Sequence, residues 1–418
     1  MNTRECIAMV LAGGKGERLL TLTKSMAKPT IPFGGGYHII DFTLSNCVHS
    51  GVETIGILSQ YMAEGIHDYV RCVEFPETGR KLEPVMLPSG KRTYAGTADA
   101  IYQNIDFIEK NYPEHVLILA GDHIYKMDYR PMLAFHSDSG ADVTMAATSV
   151  PWESASRFGI IHAEETGAIT EFEEKPRTAT SNLASMGIYI FRREALLRYL
   201  KRDAKNDESK HDFGKDILPA MLRDGRPMAA YRHRGYWRDV GEVVSLWDAN
   251  MDLLRDEPKF DLWDDDWRIF TSAPLLPFFY TSDKASVKQS IVNGGSTIMG
   301  TVERSVLSHS VVIDEGAEVI NSVLMPHTYI GRNAKIKNAI VGPYARVMDR
   351  VEIGESTMSM PGLVYCGNGV SLVSPRTELG ECERENLYAY YPRVTDPFSG
   401  IRYPKSRKPQ ENFAVIEL

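Results

Sequence analysis

Cys6-Ile-Ala-Met-Val-Leu-Ala-Gly-Gly-Lys-Gly-Glu-Arg-Leu19 decides the fold, because an apolar run ends there in a glycine-rich loop. The run as far as Leu11 predicts a buried strand, and three glycines then remove side chains just where that strand ends. A loop without Cβ atoms lets backbone N–H groups approach an anion closely. Arg18 and Lys28 add a guanidinium fork and an ammonium charge. A triphosphate requires all three kinds of donor.

Two commoner phosphate loops are excluded by the spacing of this one. A P-loop carries Lys-Ser or Lys-Thr directly after its last glycine, whereas here Gly16 precedes Glu17. A dinucleotide-binding loop requires a third small residue where Leu19 stands. Taken alone, the motif is also explained by a tight strand-to-loop turn that binds no ligand.

The composition predicts an ordinary globular protein of about two or three domains, since 43% of the 418 residues are hydrophobic and 24% are charged. A net charge of −8 disfavours non-specific nucleic-acid binding, so an anionic ligand must meet local basic groups. No apolar run approaches the ~20 residues that span a bilayer, and the N-terminal run favours a core strand over a signal peptide. Five scattered cysteines without a Cys-x-x-Cys pair favour reduced thiols in a cytoplasmic protein.

Up to about residue 250, short apolar runs alternate with helical patterns, which is typical of a mostly parallel sheet covered on both faces. Ligands of such sheets lie beyond the carboxyl ends of the strands. The glycine loop and the pair Gly121-Asp122 both follow predicted strands, so two independent motifs share one edge. The later predicted strands are Thr54–Ser59, Val116–Ala120, Val143–Ser149 and Met186–Phe191, and Ala98, Ile101, Ile105 and Ile108 fall at helical spacing.

The acidic, aromatic and proline-bearing composition of segment 256–286 predicts a packed linker. A sequence repeat follows it. Aliphatic residues recur 17 positions apart (330 − 313), and within a coil they recur every six, as from Ile330 to Ile336. This period indicates a parallel β-helix, predicted for residues 287–373, rather than an antiparallel meander. The three series are Ile313, Ile330 and Val347; Val319, Ile336 and Ile353; and Leu307, Leu324 and Val341.

The last segment, 374–418, shows neither pattern. Its tyrosines and the basic residues Arg402, Lys405, Arg407 and Lys408 suit contact with an effector or another subunit. A solvated tail explains the same composition.

Two carboxylates from distant segments predict a magnesium site. Asp122 lies in Ala-Gly-Asp-His-Ile-Tyr, and Asp239 lies in Gly-Tyr-Trp-Arg-Asp-Val-Gly. Mg²⁺ prefers a few hard oxygen ligands together with phosphate oxygens and water, so the pair suits a magnesium–triphosphate complex. Each aspartate alone is also explained as the cap of a helix or turn.

Glu174 and Lys175, in Phe-Glu-Glu-Lys-Pro, suit a sugar phosphate, because the carboxylate accepts hydroxyls while the ammonium holds phosphate. A surface ion pair is the alternative. The small residues of Tyr94-Ala-Gly-Thr-Ala-Asp99 would let a ligand approach the backbone closely, with Thr97 as a hydroxyl donor. No histidine has metal-ligand spacing and no nucleophile set is evident, so the implied chemistry is direct displacement at phosphorus.

Together these segments resemble the bacterial glucose-1-phosphate adenylyltransferases (ADP-glucose pyrophosphorylases). The resemblance is detailed over residues 4–255 and architectural beyond them. It is carried by Leu11-Ala-Gly-Gly-Lys-Gly-Glu-Arg-Leu19, Ala27-Lys-Pro29, Ile39-Ile-Asp-Phe-Thr-Leu-Ser-Asn46, Gly96-Thr-Ala-Asp99, Gly121-Asp-His-Ile-Tyr-Lys126, Arg157-Phe-Gly159, Glu174-Lys-Pro176, Ser185-Met-Gly-Ile-Tyr189, Asp212-Phe-Gly-Lys-Asp216 and Tyr236-Trp-Arg-Asp-Val-Gly241.

The resemblance implies an α/β, Rossmann-like nucleotidyltransferase domain (1–255) with a mostly parallel sheet, followed by a left-handed parallel β-helix. It implies transfer of the adenylyl group of ATP to α-D-glucose 1-phosphate, giving ADP-glucose and pyrophosphate for glycogen or α-glucan synthesis. It further implies Mg²⁺ as cofactor, allosteric control, a cytoplasmic homotetramer or an assembly with a homologous regulatory subunit, and no nucleic-acid or membrane partner.

The resemblance also assigns residues to roles. Arg18, Lys28, Asp122 and Lys175 would form the catalytic set, and Asp122 and Asp239 would hold Mg²⁺. The nucleotide would contact Leu11, Ala12, Gly13, Gly14, Gly16, Arg18, Gly96 and Thr97. Glucose 1-phosphate would contact Tyr94, Gly159, Glu174, Lys175 and Ser185.

Three departures from the family pattern bear on these expectations. Glu17 stands where relatives often carry Thr or Ser, which adds a negative charge beside the phosphate loop. Gly36 and His38 stand where many relatives carry Lys and Arg for anionic effectors, which argues against regulation by sugar phosphates. The segment 71–93 is shorter than usual and normally surrounds the base, so the reaction type is better defined than the nucleotide.

Three other functions compete with this interpretation. A mannose-1-phosphate guanylyltransferase is disfavoured by the segment Ile39–Asn46. A non-catalytic regulatory subunit would lack some of the catalytic set, whereas all four residues are present. Acyl transfer by a coil histidine, His309 or His327, is the weakest alternative, because exposed histidines of coils are usually polar surface.

Overall fold

The structure is a computed structural model, and it describes residues 5–73, 75, 84–90, 92–258, 260–272, 274, 276–354 and 360–380. A sheet covered by helices occupies the part up to Asp252, and ladders of short strands begin at Tyr280. No helix in these ranges is both long enough and apolar enough to cross a membrane.

A nine-stranded sheet forms the centre of the first part. Its strands are β1 (Cys6–Leu11), β4 (Ile55–Ser59), β5 (Val85–Pro88), β6 (His115–Ala120), β8 (Val143–Ser149), β9 (Gly159–Ala163), β10 (Ile169–Glu174), β11 (Leu183–Arg192) and β12 (Met228–Arg232). The order is β10-β9-β11-β6-β1-β4-β5; in addition, β8 pairs with β11 and β12 pairs with β8. The predicted mostly parallel sheet is confirmed by the run β6-β1-β4-β5, whereas β11 is antiparallel to β6 and β8.

Both faces of this sheet are buried, which explains why its central strands are continuously apolar. In β1, Ile7 and Met9 pack into the core on one face, and Ala8 and Val10 pack on the other. Two antiparallel strand pairs lie beside the sheet: β2 (Pro32–Phe33) with β3 (Tyr37–His38), and β7 (His123–Tyr125) with β13 (Trp237–Asp239).

Helices cover the two faces. They are α1 (Ile39–His49), α2 (Ala63–Cys72), α3 (Thr97–Gln103), α4 (Ile105–Asn111), α5 (Tyr129–Ser139), α6 (Trp152–Ala155), α7 (Arg193–Asp203), α8 (Leu218–Arg223) and α9 (Val243–Asp252). The helical spacing predicted from Ala98 to Ile108 spans both α3 and α4. Asn104 interrupts it, because its side-chain amide donates to the Ala100 carbonyl and to the Tyr94 hydroxyl.

Three ladders of parallel strands form the second part. The first holds β14 (Tyr280–Thr281), β17 (Thr297–Ile298), β20 (Val312–Ile313), β23 (Tyr329–Ile330), β26 (Arg346–Val347) and β30 (Glu378–Leu379). The second holds β15 (Ser286–Lys288), β18 (Thr301–Glu303), β21 (Glu318–Ile320), β24 (Lys335–Lys337) and β27 (Glu352–Ile353). The third holds β16 (Ile291–Val292), β19 (Val306–Leu307), β22 (Val323–Leu324), β25 (Ala339–Val341), β29 (Val370–Val373) and, antiparallel at its edge, β28 (Leu363–Gly367).

This arrangement is a parallel β-helix, and the predicted periodic series are its ladders. Ile313 pairs with Ile330, and Ile330 pairs with Val347. The first coil begins before the predicted position 287, because β14 already pairs with β17. The 17-residue repeat did not reveal this start, because the early coils are shorter. Ser286 aligns with Thr301, a spacing of 15 (301 − 286) instead of 17. The last coil reaches Leu379, and residues 381–418 of the predicted tail lie outside the described residues.

The two parts pack directly on each other. An apolar cluster joins Leu246 of α9 to Ile340 and Leu372 of the β-helix. The indole of Trp247 donates to the Asn321 carbonyl at 2.8 Å. The connecting segment packs on α1, where the Trp267 indole donates to Asn46 Oδ1 at 2.9 Å.

Candidate active site

The glycine loop lies at the carboxyl end of β1, next to the ends of β4 and β6. The Ala12 amide donates to the Leu58 carbonyl at 2.9 Å, and the Gly121 amide donates to the Leu11 carbonyl at 3.0 Å. Gly16 has a φ of +63°, and a Cβ there would lie 2.9 Å from Thr23 Cγ2. Only glycine fits this turn without strain, so the loop brings its backbone close to Thr23 and Lys28.

Lys28 joins the two predicted metal-binding carboxylates. Its Nζ lies 2.7 Å from Asp122 Oδ2 and 3.5 Å from Asp239 Oδ1, and its side chain is 8% exposed. Asp122 follows β6, and Asp239 ends β13, whose pairing with β7 carries it to this edge. The sequence analysis expected Asp122 and Asp239 to share a metal site and Lys28 to lie beside the phosphate loop, and the structure brings the three side chains into contact.

Lys28 and Asp122 stabilise each other's charge, although Lys28 is buried and Asp122 is only partly exposed. Burial opposes the ionisation of Asp122, but Lys28, with smaller effects from His123 and Arg18, lowers its pKa to about 2. Burial alone would lower the pKa of Lys28, but the charges of Asp122 and Asp239 raise it. Asp122 is therefore a carboxylate and Lys28 an ammonium at neutral pH.

Arg18 lies at the mouth of the same cleft and is 58% exposed. Its Nη1 donates to Glu242 Oε1 at 2.9 Å, and Arg157 Nη2 lies 3.1 Å from Glu242 Oε2. The cleft has a volume of about 400 Å³. It is lined by Leu11, Ala12, Gly14, Lys15, Gly16, Glu17, Arg18, Lys28, Pro29, Asp122 and Gly241. Gly13 instead packs near Gln60.

Glu174 and Lys175 form a second group at the end of β10. Gly159 of β9 pairs with Glu174, and a Cβ on Gly159 would lie 2.8 Å from Glu174 Oε2. Gly214 approaches the same carboxylate from a π-helical turn, Phe213–Ile217. Lys175 Nζ lies 2.9 Å from Glu174 Oε1 and is 60% exposed. Lys175 has a φ of +49°, a strained conformation that is common at functional sites.

Three aromatic rings connect the two groups. His123, next to Asp122, packs against Trp237 with ring centroids 5.2 Å apart. Trp237 packs against Phe158 at 5.4 Å, and the Phe158 carbonyl accepts the Lys175 amide at 3.1 Å. A chain of packed rings thus links the predicted phosphate residues to the predicted sugar-phosphate residues.

Three predicted residues make mainly structural contacts. The Tyr94 hydroxyl donates to the Leu87 carbonyl at 3.0 Å. Gly96 admits the carbonyls of Lys210 and His211, which a Cβ would meet. The Thr97 hydroxyl donates to Asp212 Oδ2 at 2.9 Å and accepts the Phe213 amide. Direct ligand contacts by these side chains stay predictions.

Ser185 lies at an irregularity of β11, where the register against β8 shifts before Tyr189. The Gly187 amide donates to Ser185 Oγ at 3.3 Å. A Cβ on Gly187 would lie 3.6 Å from His123 Cε1, so the irregularity faces the ring beside Asp122.

Comparison with known proteins agrees with this geometry. Residues 7–256 match the Nucleotidyl transferase family, and residues 278–361 match the GlmU-like C-terminal hexapeptide family. A glucose-1-phosphate adenylyltransferase of Bacillus cytotoxicus is 50% identical over 373 residues, covering 88% of this chain and 99% of that protein. Proteins of the same name from Bacillus cereus and Bacillus anthracis are 52% identical over 345 residues, covering 81% of this chain and 92% of theirs. The chain belongs to the glucose-1-phosphate adenylyltransferase family.

Two of the departures from the adenylyltransferase family pattern lie where the two parts of the molecule meet. A Cβ on Gly36 would lie 2.9 Å from Asn293 Nδ2 of the β-helix. His38 packs against Tyr69, and burial together with the charge of His309 lowers its pKa to about 3. These two positions contribute contacts within the protein and no charge at neutral pH.

The coil histidines considered for acyl transfer pack against each other. The rings of His309 and His327 are 4.9 Å apart, and His327 stacks on Tyr344 at 4.8 Å. Burial, with the charge of His327, lowers the pKa of His309 to about 4. Their packing accounts for both rings without a catalytic role.

Sequence reasoning missed the part played by Glu242 and assigned no role to Arg157. Glu242 directly follows the quoted motif that ends at Gly241, and Arg157 begins another quoted motif. Their positions at the edges of these motifs were the sequence signal that could have pointed to a role for them. Arg18, which donates to Glu242, is 224 positions away from it along the chain, so the contact itself could not be predicted from spacing.

Proposed function

We propose that this protein transfers the adenylyl group of ATP to α-D-glucose 1-phosphate, giving ADP-glucose and pyrophosphate. The observation that carries the proposal is the charge cluster of buried Lys28 with the partly exposed Asp122 and Asp239 beside a glycine loop. Packed rings join this cluster to Glu174 and Lys175. The family membership of the chain supports the same reaction.

The glycine loop and Arg18 bind the β- and γ-phosphates through backbone N–H groups and a guanidinium fork. Lys175 holds the phosphate of the sugar, and Glu174 accepts sugar hydroxyls. A phosphate oxygen of glucose 1-phosphate attacks the α-phosphorus of ATP in line. The new P–O bond forms as the α–β bridging bond breaks, and pyrophosphate leaves. Catalysis consists of positioning and stabilisation of charge.

Asp122 and Asp239 fit a divalent cation. Both direct oxygens at one ammonium group, so this pair already holds a cation. Two carboxylates plus phosphate oxygens suit Mg²⁺, which would neutralise phosphate charge when bound. Among the residues that the structure describes, no group of three or more His, Cys, Asp or Glu forms a metal site, so the proposal rests on two protein ligands.

The cellular context follows as part of the proposal. The enzyme supplies a glucosyl donor for glycogen or α-glucan synthesis in the cytoplasm and works as a homotetramer or with a homologous subunit. Allosteric control by sugar phosphates is disfavoured at Gly36 and His38, where the chain presents no cation at neutral pH.

The test is pyrophosphate release from glucose 1-phosphate with ATP, GTP, UTP or dTTP in turn, in the presence of Mg²⁺. We expect release with ATP to exceed that with the other three nucleotides. Faster release with another nucleotide would support nucleotidyl transfer but would contradict the proposal that ATP is the preferred nucleotide. Folded protein that releases pyrophosphate with none of them would contradict the proposal.

A further inference from the structure

Glu242 joins two arginines from different parts of the chain. Arg18 lies in a 3₁₀ turn, Glu17–Leu19, directly after the glycine loop, and Arg157 lies just before β9. Glu242 is the residue before α9. Its Oε1 accepts Arg18 Nη1 at 2.9 Å, and its Oε2 lies 3.1 Å from Arg157 Nη2. Each carboxylate oxygen therefore holds one guanidinium group.

The residues around Glu242 are shaped for this contact. A Cβ on Gly241 would lie 2.8 Å from Arg18 Nη2 and 3.0 Å from Asp239 Oδ1. Glycine at 241 therefore lets the Arg18 guanidinium lie against the backbone between Asp239 and Glu242. Arg157 Nη2 also reaches Ser245 Oγ, in the first turn of α9, at 3.5 Å. The start of α9 thus fixes both arginines beside the catalytic carboxylates.

We propose that Glu242 is a positioning residue that holds Arg18 and Arg157 ready for phosphate and competes with it for their N–H groups. This inference rests on the proposed function of the cleft. Carboxylate and phosphate oxygens accept the same guanidinium donors, so an entering triphosphate exchanges with Glu242. Arg18 lines the cleft, so the guanidinium that Glu242 holds is also within the space that a phosphate would enter.

The exchange has two opposite consequences. Competition weakens the binding of phosphate, since part of its attraction to the arginines replaces an existing ion pair. Orientation speeds the reaction, since arginines that are already held lose less freedom when the transition state forms. Loss of the Glu242 charge should therefore tighten binding and slow turnover together. A residue that merely stabilised the fold would not separate the two.

The size of the effect is limited by solvent. The side chains of Arg18 and Glu242 are 58% and 37% exposed, and exposed ion pairs contribute little. We therefore expect the Kd for pyrophosphate to fall about fivefold in Glu242→Gln, with a fall of about tenfold in kcat.

The experiment measures pyrophosphate binding by calorimetry with Mg²⁺ and, separately, kcat and KM for pyrophosphate release. Glu242→Gln keeps the length of the side chain and removes its charge. Glu242→Asp keeps the charge, but the shorter side chain no longer spans both arginines. We expect Glu242→Asp to lower kcat while the Kd for pyrophosphate stays near the wild-type value.

Glu17→Gln is the matched control, because Glu17 lines the same cleft and its substitution removes the same charge. Equal tightening by Glu17→Gln and Glu242→Gln would show a general charge effect and overturn the proposal. An unchanged or higher Kd in folded Glu242→Gln would also overturn it. If that variant fails to fold, Glu242→Asp decides: unchanged kcat contradicts the proposal.

Failure of the proposed function would look different. Wild-type protein would then release no pyrophosphate with any nucleotide, although the binding comparison could still be made by calorimetry.

Discussion

The cleft and the β-helix both bury polar groups beside parallel strands, but they accommodate them in opposite ways. In the cleft, Lys28 and Asp122 stay charged because they pair with each other. In the β-helix, burial and the charge of His327 lower the pKa of His309 to about 4, so its ring is neutral at pH 7. Of these groups, the two that stay charged line the cleft in which phosphates are proposed to bind.

Serine hydroxyls show the neutral arrangement most clearly. Ser290, Ser305 and Ser322 each accept the backbone amide of a residue in the next coil, at 3.1, 3.1 and 3.2 Å. The same hydroxyls donate to carbonyls of their own coils. These three hydroxyls join neighbouring coils without placing a charge in their hydrogen bonds. The comparison predicts that substitutions in the cleft change catalysis and that substitutions in the coils change stability.

The largest effect is expected from Asp122→Asn. The substitution keeps the shape but removes the charge that pairs with Lys28, so we expect kcat for pyrophosphate release to fall about 10³-fold. Asp138→Asn, on the exposed side of α5, is the control and should leave kcat near the wild-type value. A fall of less than tenfold in the kcat of folded Asp122→Asn would contradict the expectation that substitutions in the cleft change catalysis.

Ile330→Ala tests the β-helix side. Ile330 is fully buried and stacks between Ile313 and Val347, so the cavity should lower the free energy of unfolding by about 3 kcal/mol. Chemical denaturation measures this loss. Activity per folded molecule at 25 °C should stay within twofold of the wild type (about 0.4 kcal/mol). A large fall in kcat with unchanged stability would contradict the division between the two regions.

Lys175→Met sharpens the comparison within the cleft, because Lys175 is exposed whereas Lys28 is buried. Loss of a charge-assisted contact to the sugar phosphate should raise KM for glucose 1-phosphate about 30-fold, or about 2 kcal/mol. The Kd for pyrophosphate should not change. Lys201→Met, which removes an exposed ion pair with Glu109, is the matched control. Equal weakening of glucose 1-phosphate and pyrophosphate binding would contradict this role and would indicate that Lys175 contacts the triphosphate.

The smallest effect is expected from His309→Asn in acid. The folded protein holds His309 with a pKa of about 4, whereas an unfolded histidine has a pKa of about 6.5. Between these values the unfolded state binds the proton, so stability falls as pH falls from 7 to 5, by up to about 2 kcal/mol from this group. Urea unfolding at the two pH values should show a smaller loss in His309→Asn.

Asp41 makes an opposite contribution to the pH dependence of stability, and most of it cancels when wild type is compared with His309→Asn. Burial raises the pKa of Asp41 to about 7, despite hydrogen bonds from Tyr69 and the His38 amide. Its protonation therefore favours the folded state as pH falls from 7 toward 4, in wild type and variant alike. Equal pH dependence in the two proteins would show that His309 titrates normally.

The elements that the sequence could predict are those with a local pattern. β1 was predicted with its observed bounds because an apolar run ends at glycines, and the ladders through Ile313, Ile330 and Val347 follow from a repeat. The break between α3 and α4 was missed because it depends on the side-chain amide of Asn104, a contact that apolar spacing does not register.

The site was predictable where residues follow strand ends, and not where partners come from afar. The glycine loop and Asp122 were expected at one edge of the sheet because both follow predicted strands, and Asp239 was expected beside Asp122 as a second magnesium ligand. The Arg18–Glu242–Arg157 contact depends on how α9 and the loop before β9 are placed in space. Gly96 was expected to approach a nucleotide, whereas its missing side chain admits two backbone carbonyls.

The most direct test of the account follows the phosphorus atoms. ATP labelled with ³²P at the α position, and separately at the γ position, is incubated with glucose 1-phosphate and Mg²⁺, using wild type and Asp122→Asn. We predict that the α label enters ADP-glucose and the γ label enters pyrophosphate, both only with wild type. A γ label in the sugar product would mean attack at the terminal phosphorus and would contradict adenylyl transfer in this cleft.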